Sequence, residues 1–418
     1  MHTEQAARRG LRALPRNVWV VTITSFLTDV SSEMLTTLRP LFLSNVLGAG
    51  TEIVGLVEGV AETTASVLKV LSGWLSDRFG TRKWLAVLGY AISTASKPFL
   101  LLATSWVWVL GVSFGDRVGK GIRTAPRDAL VADSTPAAER GLAFGVHRAG
   151  DTAGAVVGLL VALTVIWLTE PTAHKLSRQA FLTLVLLSVL PAVLAVVCLA
   201  VGAKETKLTA KPRELPRLGL RGLDRRFRGF LLIVLVFALG NSSDAFLVLR
   251  AQSSGLSLLG VVGMMVCFNV VYTCVSGPAG ALSDLVGRRR LIVGGWVVYA
   301  LIYLGFARVS AGWHAWGLMT LYGIYYGMTE GVAKAYVADL VPPDRRGAAY
   351  GVFNAAIGLA ALPASLIAGA LWAQFGPAAP FYFGAAMAVL ASGLLVTVMR
   401  GPSEGTLGPR EKSNGGNE

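Results

Sequence analysis

Residues 73–83 read GWLSDRFGTRK and residues 280–290 read GALSDLVGRRR, so one loop pattern occurs twice in this chain. The shared pattern is G-x-L-S-D-x-x-G followed by basic residues. Its glycines permit a tight turn, and its basic residues are typical of loops at the cytoplasmic face of a membrane. An aspartate among these cations in both copies indicates a specific partner, and the free N–H groups at a helix N-terminus would attract it.

Other short segments repeat at nearly the same offset, which divides the chain into two similar halves. Three further pairs match in this way: residues 132–133 with 338–339, 140–145 with 346–351, and 31–39 with 242–250. Separate matches at one offset indicate a duplicated unit. Because each half holds six predicted spans, the two repeats run parallel in the membrane, which is one architecture of alternating-access transporters.

The composition argues against a soluble enzyme. Of the 418 residues, 54% are hydrophobic and 15% are charged, whereas soluble domains average about 45–50% apolar and about 25% charged residues. The surplus apolar residues are therefore expected to face lipid. The net charge of +14 would indicate nucleic-acid binding in a soluble protein, but cytoplasmic loops of membrane proteins also collect Lys and Arg.

The apolar stretches predict an all-α integral membrane protein with twelve transmembrane helices in two six-helix parallel repeats. The first half covers residues 18–202 and the second covers residues 229–399. The predicted spans of the first half are 18–46, 51–75, 84–104, 106–130, 142–168 and 179–202. Those of the second half are 229–250, 256–280, 291–308, 313–336, 348–375 and 379–399.

Three polar segments lie outside these spans. Residues 1–17 form a cytoplasmic N-terminal segment, residues 203–228 a basic cytoplasmic linker, and residues 400–418 a cytoplasmic tail whose composition is typical of disorder. Twelve spans with the N-terminus inside place about 25 Lys and Arg in cytoplasmic segments and about three outside. We therefore expect a multi-pass protein of the cytoplasmic membrane with both termini in the cytoplasm.

The doubled loop motif within a six-plus-six pattern resembles the major facilitator superfamily, and the resemblance covers about residues 18–400. The family loop motif is G-x-L-a-D-r-x-G-r-k. It is matched in the first copy by Gly73, Leu75, Asp77, Arg78, Gly80 and Arg82, and in the second by Gly280, Leu282, Asp284, Gly287 and Arg288. The resemblance implies that Asp77 faces the start of helix 11 and latches the halves at an inner gate, where Asp128 also lies. Thr81 stands where a basic residue is common in the family.

Two further family motifs are matched in part. On helix 4, R-x-x-q-G-x-g is matched at Arg117 and Gly121, with Lys120 in place of Gln; in proton-coupled relatives this arginine is linked to proton transfer. On helix 5, the drug-antiporter motif G-x-x-x-G-P-x-x-G-G lacks its proline, although a glycine ladder runs from residue 150 to residue 158. Close helix packing through small residues explains that ladder equally well.

Ionisable residues inside the predicted spans lie mostly in the first half. Each costs at least about 2.5–3.5 kcal/mol on insertion, so such residues line a cavity or pair with one another. On helix 4, spacings of four, three and four produce a charged stripe of Asp116, Lys120, Arg123 and Arg127. Helices 1 and 2 also carry charges on one face. For any single residue, a structural ion pair and a transport role both remain open.

Proton coupling requires a carboxylate whose pKa crosses ambient pH as its surroundings change, and desolvation raises a carboxylate pKa while a nearby cation lowers it. Asp29, Glu33 and Glu62 lie near mid-span, and Arg117 is a cation that could reach them. The resulting hypothesis is that Glu62 or Glu33 carries the proton and that Arg117 switches it.

Charged, amide and tyrosine side chains inside the spans are the candidate substrate contacts. They are Glu58, Lys69, Lys97, Lys120, Arg123, Asp151, Asn241, Asp244, Asn269, Tyr326 and Glu330. Because helical bundles commonly pack Tyr and Asn between helices, a purely structural role is also possible for those residues.

The sequence therefore predicts a secondary active transporter that moves a small organic solute by alternating access, coupled to protons. Efflux of amphipathic compounds is favoured; the alternatives are proton-coupled transport of a small organic anion and a membrane sensor that does not transport. The metalloprotease motif HExxH does not occur, and the glycine-rich residues 115–121 lack phosphate-loop spacing. No cofactor, metal or nucleic-acid partner is expected, and a monomer is expected to suffice.

Overall fold

The computed structural model describes residues 14–136, 139–206, 224–341 and 346–399. Within these ranges the chain forms twelve helical segments that span the bundle, and no β-strand. The first half contains α1 (Arg16–Thr36), α2 (Thr51–Phe79), α3 (Lys83–Ser96), α4 (Trp106–Ser134), α5 (Arg140–Thr169) and α6 (Arg178–Gly202). The second half contains α7 (Arg225–Gly240), α8 (Leu258–Val286), α9 (Arg288–Ala307), α10 (Gly312–Asp339), α11 (Arg346–Phe375) and α12 (Ala379–Val398). Most of the predicted N-terminal segment, much of the linker and the tail lie outside the described residues.

Three segments change geometry along their length. α1 is followed by a short helix (Arg39–Leu41) and a π-helical turn (Phe42–Val46), and α3 continues as a 3-10 helix (Lys97–Leu102). α7 is interrupted after Gly240 and resumes as Ala245–Ser253. An interrupted helix leaves backbone polar groups unbonded, which a membrane interior tolerates only where protein covers them or a cavity supplies water.

Some helices are longer than hydropathy predicts. α2 continues past residue 75 to Phe79, and α4 continues past residue 130 to Ser134. Each added turn contains an aspartate, so it extends the helix without extending the apolar stretch from which the spans were predicted. Gly80 then ends α2 with a φ of 67°, a left-handed conformation that favours glycine.

Hydrogen bonds between helix ends sort the bundle into two faces. The Asn17 amide donates to the carbonyl of Lys204 (2.9 Å), joining the start of α1 to the end of α6. Arg289 donates to the carbonyl of Val396 (2.7 Å), joining the start of α9 to the end of α12. We call this side the termini face and the opposite side the distal face.

The two halves contact each other at the distal face and along α2 and α11. The N–H of Leu258 donates to the carbonyl of Ala173 (3.1 Å), which joins the start of α8 to the α5–α6 connection. Along the helices, Thr63 Oγ1 donates to the carbonyl of Gly358 (2.7 Å). A β-carbon at Gly358 would overlap Ser66, so glycine allows α11 to approach α2 this closely.

Large apolar side chains cover the outside of the bundle. On α6, Leu190 is 66% and Val201 is 77% exposed, and α6 carries no charged residue after Arg178. A continuous apolar surface of this kind is stable against lipid tails and would drive association in water. The exposed apolar surface therefore agrees with an integral membrane protein.

Eight stretches of helix are long and apolar enough to cross a membrane on composition alone. The remaining spanning helices of the described chain, α1, α2, α4 and α10, have 21 to 29 residues but are less apolar. A helix of 28 residues is about 42 Å long, so these helices are long enough to cross a membrane. These four helices carry most of the ionisable groups that meet inside the bundle.

Candidate functional site

The charged stripe of α4 is directed into the first half. Arg117 and Arg123 are 7% and 6% exposed, whereas Lys120, which lies between them, is exposed. Lys120 occupies the middle of α4 and interacts electrostatically with Glu62 and Asp29. A lysine at this depth cannot face lipid at an acceptable cost, so Lys120 lines a space inside the bundle that water can reach.

Arg117 is a buried guanidinium that forms no hydrogen bond or ion pair with the described residues. Its Nε is fully enclosed and has no acceptor. Buried charges are normally paired, because removing an isolated charge from water is costly. The carboxylates of Glu62, Asp116 and Glu58 are the charges that act on Arg117 most strongly. Several carboxylates therefore stabilise Arg117 through space, and none of them holds it.

Three carboxylates opposite this stripe are also unbonded. Asp29 and Glu33 are half-buried and Glu62 is exposed, and none forms a hydrogen bond or an ion pair within the described part of the chain. Lys120 and Arg117 are the cations that act most strongly on both Glu33 and Glu62. Opposite charges thus face one another across gaps wider than a direct bond.

Two other candidate residues are held by neighbouring hydroxyls. The buried ammonium of Lys97 donates to Ser31 and, across 3.2 Å, to Ser32. Ser93 donates to the carboxylate of Asp116. These bonds fix Lys97 and Asp116 between α1, α3 and α4 on one side of the unbonded charges.

Glu58 has a structural partner. Its two carboxylate oxygens accept hydrogen bonds from Arg39 at 2.9 Å and 2.8 Å, and both side chains are about nine-tenths buried. In the second half, the repeat equivalent Arg250 instead donates to the carbonyls of Phe306 and Val309 at the end of α9. Because Arg39 already satisfies Glu58, we leave Glu58 out of the proposed site.

One polar cluster joins the two halves of the bundle. Arg148, on α5, donates a hydrogen bond to the Tyr272 hydroxyl on α8 (2.6 Å), which in turn donates to Glu330 on α10 (2.6 Å). Lys334 donates to the other oxygen of Glu330 at 3.0 Å. Lys69, exposed on α2, interacts electrostatically with Lys334. Glu330 is therefore part of a contact between the halves, which we call the cross-half cluster.

Aromatic residues form the wall contributed by the second half. Tyr322 donates to Asp244 at the interruption of α7 (2.9 Å), and the ring of half-buried Tyr326 lies 5.7 Å from that of Phe268. Across the interface, Glu62 interacts electrostatically with both Asp244 and Tyr326. The space between the halves thus has a charged wall on one side and a largely aromatic wall on the other.

The two candidate asparagines lie close to this aromatic wall. Asn269 donates to the carbonyl of Met265 on its own helix (2.9 Å). The Oδ1 of Asn241, at the interruption of α7, is buried and receives no hydrogen bond from the described residues. Asn241 therefore retains a free acceptor, whereas the amide of Asn269 is bonded locally.

Other charged residues of α4 and α5 lie closest to neighbours within the first half. Arg127 donates to the adjacent Asp128 at 2.8 Å and to Ser25 at 3.1 Å. His147 Nε2 lies 3.8 Å from a carboxylate oxygen of Asp151, one turn further along α5. Asp128 therefore bonds its own neighbour within the described residues, rather than a residue of the second half.

The two copies of the loop motif bond to equivalent aspartates through different arginines. Arg82 donates to Asp133 at 3.2 Å in the first copy, and Arg288 donates to Asp339 at 2.7 Å in the second. Arg288 occupies the position that Thr81 occupies in the first copy. Because threonine cannot make this contact, the next residue, Arg82, makes it instead.

Other motif residues shape the turn. Gly287 ends α8 with a φ of 94°, and a β-carbon at Gly73 would lie 3.3 Å from Ala125 on α4. The guanidinium of Arg78 lies over the Trp74 ring, 5.3 Å from its centre. The described part of the structure does not include the side chains of Asp77 and Asp284, nor that of Ala281 beside Gly280. The latch expected of Asp77 therefore remains a prediction.

The sequence pattern does not reveal several contacts that the structure shows. Arg148 is one of many charges inside the spans, and Tyr272 is one of several tyrosines of the second half that could line the substrate wall. Asp133 and Asp339 carried a signal, since the same Ala-Asp pair occurs in both halves. Within the described residues, no group of three or more His, Cys, Asp or Glu side chains could hold a metal ion.

Comparison with known proteins agrees with this architecture. A family model described as Major Facilitator Superfamily matches residues 21–271 and 230–416. An uncharacterized MFS-type transporter of Methanocaldococcus jannaschii is 37% identical over 395 residues, which cover 92% of this chain and 95% of that protein.

More distant similarities concern named transporters. The multi-drug resistance efflux pump PmrA of Streptococcus pneumoniae is 23% identical over 377 residues, covering 88% of this chain and 92% of the pump. A crystal structure of a mutant of the nucleoside transporter NupG superposes with a TM-score of 0.77 at 13% identity, covering 91% of this chain and 99% of that one. At this identity the structural likeness concerns the fold alone.

Proposed function

The chain belongs to the major facilitator superfamily of membrane transporters, and from this premise we propose that it is a proton-coupled secondary transporter of small amphipathic organic solutes. Alternating access requires that the two six-helix halves rock about a central site. We place that site between the unbonded charges of α1, α2 and α4 and the aromatic wall of α8 and α10.

The observation that carries this proposal is the set of unbonded charges in the middle of the bundle. Purely structural charges would be paired, as Glu58 is with Arg39. Arg117, Glu33 and Glu62 instead lie within electrostatic range of one another without a direct bond. Such groups are free to exchange partners when the halves move or when a solute enters, which is what coupling requires.

In the proposed mechanism, Glu62 or Glu33 carries the proton, Asp29 contributes to the same carboxylate group, and Arg117 acts as the switch. A carboxylate that faces Arg117 is stabilised as an anion, and one that turns away into a drier environment takes up a proton. Because Glu62 lies opposite Asp244 of the second half, movement of the halves changes its surroundings. Each cycle would then carry a proton with or against the solute.

The two walls define the class of solute. The charged wall, in which we include Lys69, Lys97, Lys120 and Arg123, would bind a charged group of the solute. An apolar ring of the solute would pack near Tyr326 on the aromatic wall. Export is favoured, in keeping with the similarity to the pneumococcal efflux pump. The second candidate, transport of a small organic anion, is favoured by one specific observation: Arg117 and Lys120, one turn apart on α4, have no bonded counter-ion among the described residues.

The proposed orientation follows from the charge of the loops. The termini face carries Arg82, Lys83, Arg288 and Arg289, and the positive-inside rule assigns such a face to the cytoplasm. We therefore propose that both termini are cytoplasmic, that the protein resides in the cytoplasmic membrane, and that it functions as a monomer because each chain contains both halves.

The test uses purified protein in liposomes that contain a pH-sensitive dye. Ethidium serves as an amphipathic cation and benzoate as an organic anion. We expect one of them to drive proton flux in the wild type, with opposite movement of solute and proton if the protein is an antiporter. Glu62→Gln and Arg117→Gln should each abolish that flux. Glu52→Gln is the matched control, because Glu52 lies on the same helix but at its exposed distal end.

Other results would contradict specific parts of the proposal. Solute movement without proton flux in the wild type would exclude proton coupling and make the carboxylates structural. Solute binding without movement would indicate a sensor. Unchanged pH dependence in Glu62→Gln and Glu33→Gln would exclude both residues as the carrier.

A further inference from the structure

The glycine ladder of α5 presses this helix against α1. A β-carbon at Gly154 would overlap the carbonyl oxygen of Phe26, and one at Gly158 would lie 2.5 Å from the carbonyl oxygen of Val30. The backbones of α1 and α5 therefore touch directly. This contact brings Asp151 of α5 close enough to Asp29 of α1 that it is the charged group acting most strongly on Asp29.

His147 is an unexplained polar group at one end of this contact. It is only 4% exposed, and among the described residues neither of its ring nitrogens has a hydrogen-bond partner. The Oδ1 of Asp151 is likewise buried, with no donor in the described part of the chain, and its Oδ2 lies 3.8 Å from His147 Nε2. Leaving buried polar atoms unbonded costs about 1–3 kcal/mol each, and helix packing alone does not require a histidine here.

The groups that face this pair come from three helices. His147 interacts electrostatically with Arg127 and Asp128 of α4 and with Asp151 and Arg148 of its own helix. Asp29 interacts with Asp151 of α5, Glu33 of its own helix, and Arg123 and Lys120 of α4. Two carboxylates, Asp29 and Asp151, thus repel each other in the interface, and a single shared proton relieves that repulsion.

The same residues are graded in depth. At 1.5 Å per residue, His147 lies about 10 Å and Asp151 about 16 Å along α5 from its start at the termini face. Asp29 lies about 20 Å and Glu33 about 26 Å along α1 from the same face. Successive titratable groups are therefore separated by small steps that lead from near the termini face to the unbonded charges at the centre.

We propose that His147, Asp151 and Asp29 form a proton path that connects the termini face with the central carboxylates. A protonated His147 gives its Nε2 proton to the Asp151 carboxylate through a water or a small rotation across the gap of 3.8 Å. The Asp151 carboxylic acid then gives the proton to the Asp29 carboxylate, which restores Asp151, and Glu33 receives it in turn. This path rests on the proposed function, because it supplies protons to that site.

The test separates proton movement from solute movement. Net flux of ethidium or benzoate, whichever the wild type moves, is driven by a pH gradient, and exchange of the same probe is measured at equal pH on both sides. We expect His147→Gln and Asp151→Asn to lower net proton-driven flux at least tenfold while exchange stays within about twofold, because exchange requires no net proton transfer. Asp151→Glu should restore net flux, and His174→Gln, in the α5–α6 connection, is the matched control.

Three other outcomes would overturn either the proton path or the proposed coupling. Wild-type levels of net flux in both variants would overturn the path while leaving the proposed function intact. A parallel loss of net flux and exchange, in variants whose melting temperature is unchanged, would assign His147 and Asp151 to solute movement and also overturn the path. A wild type that moves the probe without protons would overturn the proposed coupling itself.

Discussion

The Nη2 of Arg148 donates a hydrogen bond to the hydroxyl of Tyr272 across 2.6 Å, although the two residues lie 124 positions apart and in different halves of the protein. The same hydroxyl donates to Glu330, so one tyrosine connects a cation of the first half to an anion of the second. A rocking motion that separates α5 from α8 must break this bond. The cross-half cluster therefore stabilises the arrangement of the halves described here.

Removal of the Tyr272 hydroxyl should weaken that arrangement. Hydrogen bonds to charged groups contribute about 1.5–3 kcal/mol, and 1.4 kcal/mol is a factor of ten in an equilibrium. We expect Tyr272→Phe to shift the population roughly tenfold toward states in which α5 and α8 are apart. Spin labels at Cys274 and at Phe144→Cys, with the other two cysteines replaced by alanine, should report a second, longer distance.

The control for this prediction is Tyr350→Phe. The Tyr350 hydroxyl bonds the carbonyl of Lys334 within the second half (3.1 Å), so its removal should not alter the distance between the labels. An identical distance distribution in Tyr272→Phe and the wild type would show that the cluster does not hold the halves together.

Glu58→Gln should destabilise the protein rather than change which solute it moves. Removing one charge of a buried pair leaves Arg39 uncompensated, at a cost of about 3–5 kcal/mol. We expect a clear decrease in melting temperature in detergent. The double variant Glu58→Met with Arg39→Met should recover much of that loss, because no buried charge remains. An unchanged melting temperature together with altered solute preference would return Glu58 to the substrate contacts.

Gly154→Ala should force α1 and α5 apart. The new methyl group would overlap the carbonyl oxygen of Phe26, and overpacking of this kind costs about 1–3 kcal/mol. Gly145 is the matched control, because it lies on the same helix and a β-carbon added there would have no neighbouring atom within 4 Å. We expect thermal unfolding to show a lower melting temperature for Gly154→Ala and no decrease for Gly145→Ala. Equal behaviour of both variants would contradict the direct contact of α1 and α5.

Glu205→Ala should loosen the start of α3. The Glu205 carboxylate accepts hydrogen bonds from the backbone N–H groups of Arg82 (2.8 Å) and Lys83 (3.0 Å), and an anion at a helix N-terminus contributes about 0.5–1 kcal/mol. We expect faster hydrogen exchange in the first turn of α3. The adjacent Lys204→Ala should have no such effect, since Lys204 contributes only backbone groups to the bonds of this region.

The duplicated architecture could be predicted because its signals are local. Twelve apolar stretches and a repeated loop motif are visible in one dimension, and the structure confirms both the all-helical fold and the two six-helix halves. Segment ends were less predictable. The last turns of α2 and α4 each contain an aspartate, so hydropathy does not count them. The interruption of α7 after Gly240 lies beside the contact of Asp244 with Tyr322, which pairs residues 78 positions apart.

The roles of individual charges could not be separated in the same way. Glu58 and Glu62 lie one turn apart on α2 and look equivalent in sequence. Arg39 reaches Glu58 and not Glu62, so one carboxylate is part of a buried ion pair and the other is exposed inside the bundle. Likewise, Thr81 alone would indicate a lost contact, which Arg82 restores.

Composition and periodicity along the chain are enough to identify a helical membrane protein built from two related halves, and to show that charged residues concentrate in a few of its helices. The folded arrangement was needed to separate the bonded charges of the described residues from the unbonded ones, and to show that Arg148 joins the halves through Tyr272. An ion pair depends on distances of a few ångströms between residues far apart in sequence, and no local pattern encodes those distances.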